Sequence, residues 1–187
     1  MYHIRKYVPR DKERLRFICK ETADKSLKRN DRLLEAVAVL YNDYFTEKES
    51  ENIFVLADES DLPVGYIICA SEPEKFRKAM RREYGKRVLK AYPPAVVIYL
   101  GYMAAFDLTP KKYRVHFHID LLPEAQRQGW GTKLMNTLCE HLREKGIEYL
   151  GGVAINKNSA GYRMYKKYGF ETVGNIFIKV VTIAYKI

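Results

Sequence analysis

Apolar positions recur along this chain with two periods, one near two and one near 3.6, and each switch between them marks an element. Val115, Phe117, Ile119 and Leu121 alternate with His116, His118, Asp120 and Leu122, the period of a strand. From residue 130 the period lengthens. Leu134, Met135, Leu138, Cys139 and Leu142 form one stripe, with Lys133, Asn136, Glu140, Arg143 and Glu144 opposite, which predicts an amphipathic helix. Lys145 and Gly146 end it, a cation in the last turn and then a residue free to take the left-handed cap conformation. Between strand and helix runs LLPEAQRQGWG, residues 121–131. Gly129 and Gly131 let the backbone approach a ligand closely, and a helix start carries unpaired N–H groups with a partial positive charge. The turn is therefore a candidate anion site. It lacks both the third glycine of a dinucleotide fingerprint and the Gly-Lys-Ser/Thr of a P-loop, so by itself it also fits an ordinary strand-to-helix connection.

The same reading extends along the chain. Residues 2–8 predict a first strand, and Pro9 with Asp11 opens a helix with Leu15, Ile18 and Cys19 on its apolar stripe. A second helix is predicted over 31–45, capped by Asn30 or Asp31 and burying Leu33, Leu34, Val37, Leu40, Tyr41 and Tyr44. Residues 52–57 and 63–70 predict strands joined through DESDLP as a hairpin. Residues 72–91 have helical composition. The apolar run 95–106 fits either a buried helix or a strand by periodicity, and Pro93 and Pro94 at its start favour the helix. A strand at 147–155, a helix at 159–168 and strands near 170–173 and 177–186 complete a mixed α/β order in one domain, residues 1–187.

Composition narrows the class. With 47% apolar and 30% charged residues and no repeat or low-complexity tract, the chain reads as an ordinary globular domain. No apolar stretch approaches ~20 residues, and the N-terminus lacks a signal-peptide core. A cytoplasmic protein without membrane attachment is expected. Cys19, Cys69 and Cys139 are odd in number, widely spaced and on apolar faces, which predicts buried thiols. The net charge of +10 raises the question of nucleic acid. The basic residues Arg77, Lys78, Arg81, Arg82, Lys86, Arg87 and Lys90 cluster on one predicted helix, whereas elsewhere Asp and Glu interleave. A solvated helical face accounts for that cluster better than a nucleic-acid partner does.

A second segment, NSAGYRMYKKYGF at residues 158–170, follows the 147–155 strand. With QRQGWG at 126–131 it resembles the two signatures of the GNAT acyltransferases, in the right order and separation over about residues 113–174. Gly161 and Met164 stand where the family usually has alanine and leucine. The resemblance implies a mixed central sheet of about seven strands flanked by helices, with the fourth and fifth strands splayed to admit the pantetheine arm of acetyl-CoA. Against that fold, residues 71–112 are a helical insertion that either shapes the acceptor pocket or forms a surface for a second copy of the chain. The run HIDLLPEAQRQGWG also resembles the acetyltransferase-like domain attached to some O-GlcNAc hydrolases. For that subgroup CoA binding without acyl transfer is the alternative expectation.

The resemblance assigns candidate roles. Gln126, Arg127, Gln128, Gly129, Trp130, Gly131 and Thr132 would cradle the pyrophosphate, the backbone of Leu121 and Leu122 would pair with the pantetheine amides, and Asn158 matches the motif asparagine while also suiting the helix N-cap. Tyr165 takes the position of the tyrosine that donates to the coenzyme sulfur, as a phenol of pKa about 10 can at neutral pH. An acceptor amine of pKa about 10.4 is only ~0.1% neutral at pH 7, so a proton acceptor is needed. His116, His118 and Asp120 share one face of the strand leading to the loop and are the candidates, either histidine titrating near pH 7. His-x-His is also a metal spacing, but no third ligand accompanies it. The acceptor itself has no motif.

Overall fold

The computed structural model describes residues 1–187. Seven strands form one sheet in the order β1-β2-β3-β4-β5-β7-β6. They are β1 His3–Lys6, β2 Ile53–Ala57, β3 Pro63–Ala70, β4 His116–Leu121, β5 Tyr149–Asn156, β6 Glu171–Phe177 and β7 Val180–Lys186. Every neighbouring pair is antiparallel except β4 and β5, which are parallel. The mixed α/β sheet expected from the sequence is present, as is the β2–β3 hairpin.

The helices are α1 Lys12–Thr22, α2 Asp31–Ala38, α3 Tyr44–Lys48, α4 Pro73–Ala79, α5 Gly85–Ala91, α6 Val96–Leu108, α7 Trp130–Glu144 and α8 Ala160–Tyr168. Asn30 caps α2, its Oδ1 accepting from the Arg32 and Leu33 amides. A π-helical turn over Val39–Asp43 carries α2 into α3, and another over Met80–Tyr84 carries α4 into α5, so each pair is one helix widened by an extra residue in its middle. The run 95–106 is helical, as the prolines at its start indicated.

The insertion is fixed to the core by aromatic and ionic contacts. Tyr44 meets Phe76 and Tyr84 edge-on, at centroid distances of 4.9 and 5.7 Å. Arg87 reaches buried Asp43 at 2.7 Å and Glu47 at 2.7 Å, and Arg77 and Arg81 both bind Asp107 at 2.7 Å. Three of the seven clustered basic residues are thus neutralised within the chain. Cys19, Cys69 and Cys139 are buried free thiols. No helix is long and apolar enough to cross a membrane.

The pairing of β4 with β5 positions the site. β4 and β5 are in register only at His116 and Gly151, where the Gly151 amide bonds the Val115 carbonyl at 2.6 Å. A Cβ on Gly151 would lie 2.0 Å from the Tyr113 carbonyl oxygen, so only glycine permits this approach. Beyond it β4 runs on to Leu121 unpaired on that side, while β5 breaks register between Gly152 and Ile155, with Ala154 in the left-handed region at φ 57°. The strands diverge as the resemblance implied, and the gap between them opens the middle of the sheet.

Candidate functional site

Two cavities meet at this gap from opposite faces of the sheet. The larger, about 870 Å³, lies between the C-terminal half of β4, the start of α7 and the length of α8. The smaller, about 250 Å³, lies between the end of α1, α2, Tyr102 of α6 and the β5 bulge. Thr22 and Asp120 line both, so the two open toward a common point.

The larger cleft is built for an anion. The main-chain amides of residues 127–132 find no acceptor within the chain; the first hydrogen bond of α7 runs from Lys133 to the Gly129 carbonyl at 3.1 Å. Arg127 and Gly129 both adopt left-handed backbone, at φ 60° and 82°, which turns successive N–H groups to one side as an anion nest. Gln126 holds the loop to the strand, its Nε2 donating to the Leu121 carbonyl at 2.7 Å. Arg127, Arg163 and Lys167 add positive charge around the lining.

Alternation along β4 decides which backbone groups face the gap. The Leu122 amide donates to the Val64 carbonyl of β3 at 2.8 Å, so the even-numbered residues bond β3 and the odd-numbered ones point toward β5. Ile119 and Leu121 therefore present main-chain groups to the opening. Leu122, expected from the sequence to do so, is buried and turned the other way.

Other expected residues also lie elsewhere. Asn158 is exposed, and Ser159 caps α8 instead, its Oγ accepting from the Tyr162 amide at 3.0 Å. Asn158 contributes its carbonyl to Arg163 at 3.2 Å. The Trp130 indole packs edge-on against Tyr2 at 6.1 Å and beneath the Lys133 ammonium at 4.0 Å, away from the cleft lining. Gln128 is exposed, with its Nε2 on the Glu124 carbonyl.

Tyr165 is wedged against Phe117 and Phe170, at centroid distances of 5.3 and 5.7 Å. Its side chain lines the larger cleft. Burial and the charge of Asp120 push its phenol above the usual range, so it holds its proton at neutral pH. Asp120, half-buried, accepts from the Tyr66 hydroxyl at 2.5 Å. Desolvation pushes its carboxyl up, partly countered by the hydrogen bond from Tyr66.

The histidines depart from the expectation of titration near neutrality. Burial lowers His116 to about 4 and His118 to about 3, because desolvation disfavours the imidazolium. Their hydrogen bonds fix the neutral tautomers. His116 Nδ1 sits 2.9 Å from the Arg114 carbonyl and must carry the proton; its Nε2 then accepts from the Tyr102 hydroxyl at 3.1 Å. The Tyr102 oxygen in turn receives Nε2–H of His118 at 3.1 Å. His116 is fully buried and lines neither cavity, whereas His118 lines the smaller one.

Ile119, Arg163, Lys167, Thr22, Tyr41 and Tyr102 join the two linings without having been singled out in the sequence. Only Arg163 and Lys167 carried a signal, since their i,i+4 spacing puts them on one face of the motif-bearing helix.

Known proteins share this architecture. No curated protein matches the sequence. Among solved structures, the crystal structure of SsHAT is 24% identical, with a TM-score of 0.86 over 99% of this chain and 98% of that one. A Drosophila melanogaster polyamine N-acetyltransferase that forms N-acetylagmatine is 12% identical, with a TM-score of 0.69 over 100% of both chains. The PaiA N-acetyltransferase of Thermoplasma acidophilum, in complex with coenzyme A, is 14% identical, with a TM-score of 0.63 over 100% of this chain and 99% of that one. The model of the acetyltransferase (GNAT) family matches residues 17–170, and the chain belongs to that family.

Proposed function

We propose that the protein is an acetyl-CoA-dependent N-acetyltransferase that passes the acetyl group to a primary amine by direct attack. The observation that carries this reading is the passage through the sheet. A cleft with six unpaired amides and three cations opens, at Asp120 and Thr22, onto a second cavity on the far face.

The residues present fit the cofactor. Amides 127–132 would hold the pyrophosphate, Arg127, Arg163 and Lys167 lie where further phosphate charge can be met, and Ile119 and Leu121 offer main-chain groups to the pantetheine amides. Acetyl-CoA supplies an acetyl thioester: the amine nitrogen bonds its carbonyl carbon, the carbon–sulfur bond breaks, and the thiol leaves. Tyr165 would give the departing sulfur a proton from Oη. Asp120, at the junction, would take the proton the amine loses. His118 offers a lone pair on Nδ1 to the smaller cavity, but its low basicity suits a hydrogen-bond acceptor for the amine better than a proton store.

Calorimetric titration with acetyl-CoA and CoA is expected to show sub-millimolar binding, and free-thiol release should reveal turnover on a panel of primary amines. If neither nucleotide binds, the reading is lost. Binding without turnover on any amine would instead favour a CoA-binding module of this fold, the alternative that the loop's resemblance to the O-GlcNAc hydrolase-attached domain suggested.

A further inference from the structure

The two cavities differ in the sign of the charge that lines them. The cofactor cleft carries Arg127, Arg163 and Lys167 against the single carboxylate of Asp120. The smaller cavity carries Asp24 and Asp120 and no lysine or arginine. Electrostatic complementarity of this kind selects between partners, so the smaller cavity suits a cation.

Its remaining walls give the cation a shape. Ala23, Leu27, Val37 and Ile155 are apolar and suit methylene groups. Tyr41 closes one side, its ring 5.1 Å from Tyr102 and 5.3 Å from His118, and aromatic faces favour a nearby ammonium. At about 250 Å³ the space is below the range of about 300–1,000 Å³ typical of drug-sized ligands. The two carboxylates differ in setting. Asp120 lies in the gap beside the cofactor cleft and is half-buried. Asp24 is exposed and held by Ser26, whose amide donates at 2.8 Å and whose hydroxyl donates at 2.6 Å. Those hydrogen bonds lower its pKa, so it stays charged.

We propose that the smaller cavity is the acceptor site and takes a linear aliphatic diamine, with the reacting amine at Asp120, the methylene chain along the apolar wall and the second ammonium at Asp24. The assignment rests on the acetyltransferase reading for its reaction but is tested by binding alone. Putrescine, cadaverine, butylamine and a lysine-containing peptide are titrated into the protein without nucleotide, and their acetylation is then followed by free-thiol release. The diamines should bind more tightly than butylamine. Asp24→Asn, on the surface, should weaken the diamines about three- to fivefold while leaving butylamine and acetyl-CoA affinity unchanged. Asp120→Asn should weaken every amine, by about 10²-fold, and spare acetyl-CoA binding.

Equal binding of butylamine and the diamines, insensitive to Asp24→Asn, overturns the proposal. So does the lysine peptide proving the better ligand and acceptor. Failure of acetyl-CoA to bind while the diamines still do would sink the acetyltransferase reading and leave this site standing; the reverse result would do the opposite.

Discussion

The two faces of β4 have been put to different uses. On the side toward β5, Ile119 and Leu121 present main-chain groups to the gap, and amides 127–132 of the loop after them have no partner in the chain. On the even-numbered face, His116, His118 and Asp120 are committed to Tyr102, Arg114 and Tyr66. The first face is unsatisfied until an anion arrives, and the second is largely satisfied in advance. Unpaired amides at a helix start remain in contact with water and wait cheaply, whereas buried side chains left unpaired would cost about 1–3 kcal/mol each. The larger cleft is thus shaped by backbone groups, and the smaller cavity by side chains.

The sharpest test of the first face is Tyr165→Phe. Removing Oη should lower turnover by about 10²-fold if the tyrosine supplies the proton, with acetyl-CoA affinity nearly unchanged. A variant that turns over at full rate takes Tyr165 out of the chemistry and leaves it as a packing residue between Phe117 and Phe170.

The second face should show itself in acid. The folded value of His116, about 4, lies below its ordinary value. The unfolded chain therefore binds a proton that the folded one refuses. Stability is full above about pH 6.5 and drains as pH falls toward 4, by about 2 kcal/mol from His116 between pH 7 and pH 5. His118 acts in the same direction. Asp120, whose folded pKa is raised, acts in the opposite direction and offsets part of the loss. Urea midpoints at the two pH values measure the balance, and identical midpoints would mean that the histidines are not held neutral by burial.

Gly129→Ala probes the loop. The added Cβ would meet no atom within 4 Å, so the cost comes from φ 82° alone, about 1–2 kcal/mol for a side-chain-bearing residue. The expected result is a severalfold loss of acetyl-CoA affinity with amine binding intact, read by calorimetry. Unchanged nucleotide affinity would show that the cradle does not depend on this conformation.

The smallest effect belongs to Gly161→Ala, which restores the residue usual in the family. Its Cβ would approach the Tyr165 ring at 3.4 Å and the hydroxyl at 3.5 Å, ordinary or nearly ordinary contacts. Helix propensity should add about 0.5–1 kcal/mol, with turnover unaltered. A drop in turnover would show that Tyr165 needs the space the glycine leaves.

Much of the fold and of the larger cleft was legible because both are written locally. The stripe from Leu134 to Leu142, the Asn30 cap and the alternation along β4 each reside in a few consecutive residues. The glycine loop does too, since its backbone groups need no distant side chain to be useful. The failures came where one position had two sound local readings. Asn158 and Ser159 can each cap α8, and the hydrogen bond went to Ser159. Leu121 and Leu122 are both strand-end leucines, and only pairing with β3 shows which one faces the gap. Trp130 sits in the motif run while its indole packs on Tyr2, a partner 128 positions away in sequence.

The sequence by itself determined the family, the element order and the glycine loop, because hydrophobic period, caps and glycine spacing act over short stretches of chain. Tertiary structure decided the smaller cavity. Thr22, Tyr41, Tyr102, His118, Asp120 and the β5 bulge come from α1, the π-helical turn, the insertion and two strands, and their meeting depends on the β4–β5 divergence at Gly151. It also decided the protonation of the histidines, since desolvation is a property of surroundings that no single residue carries.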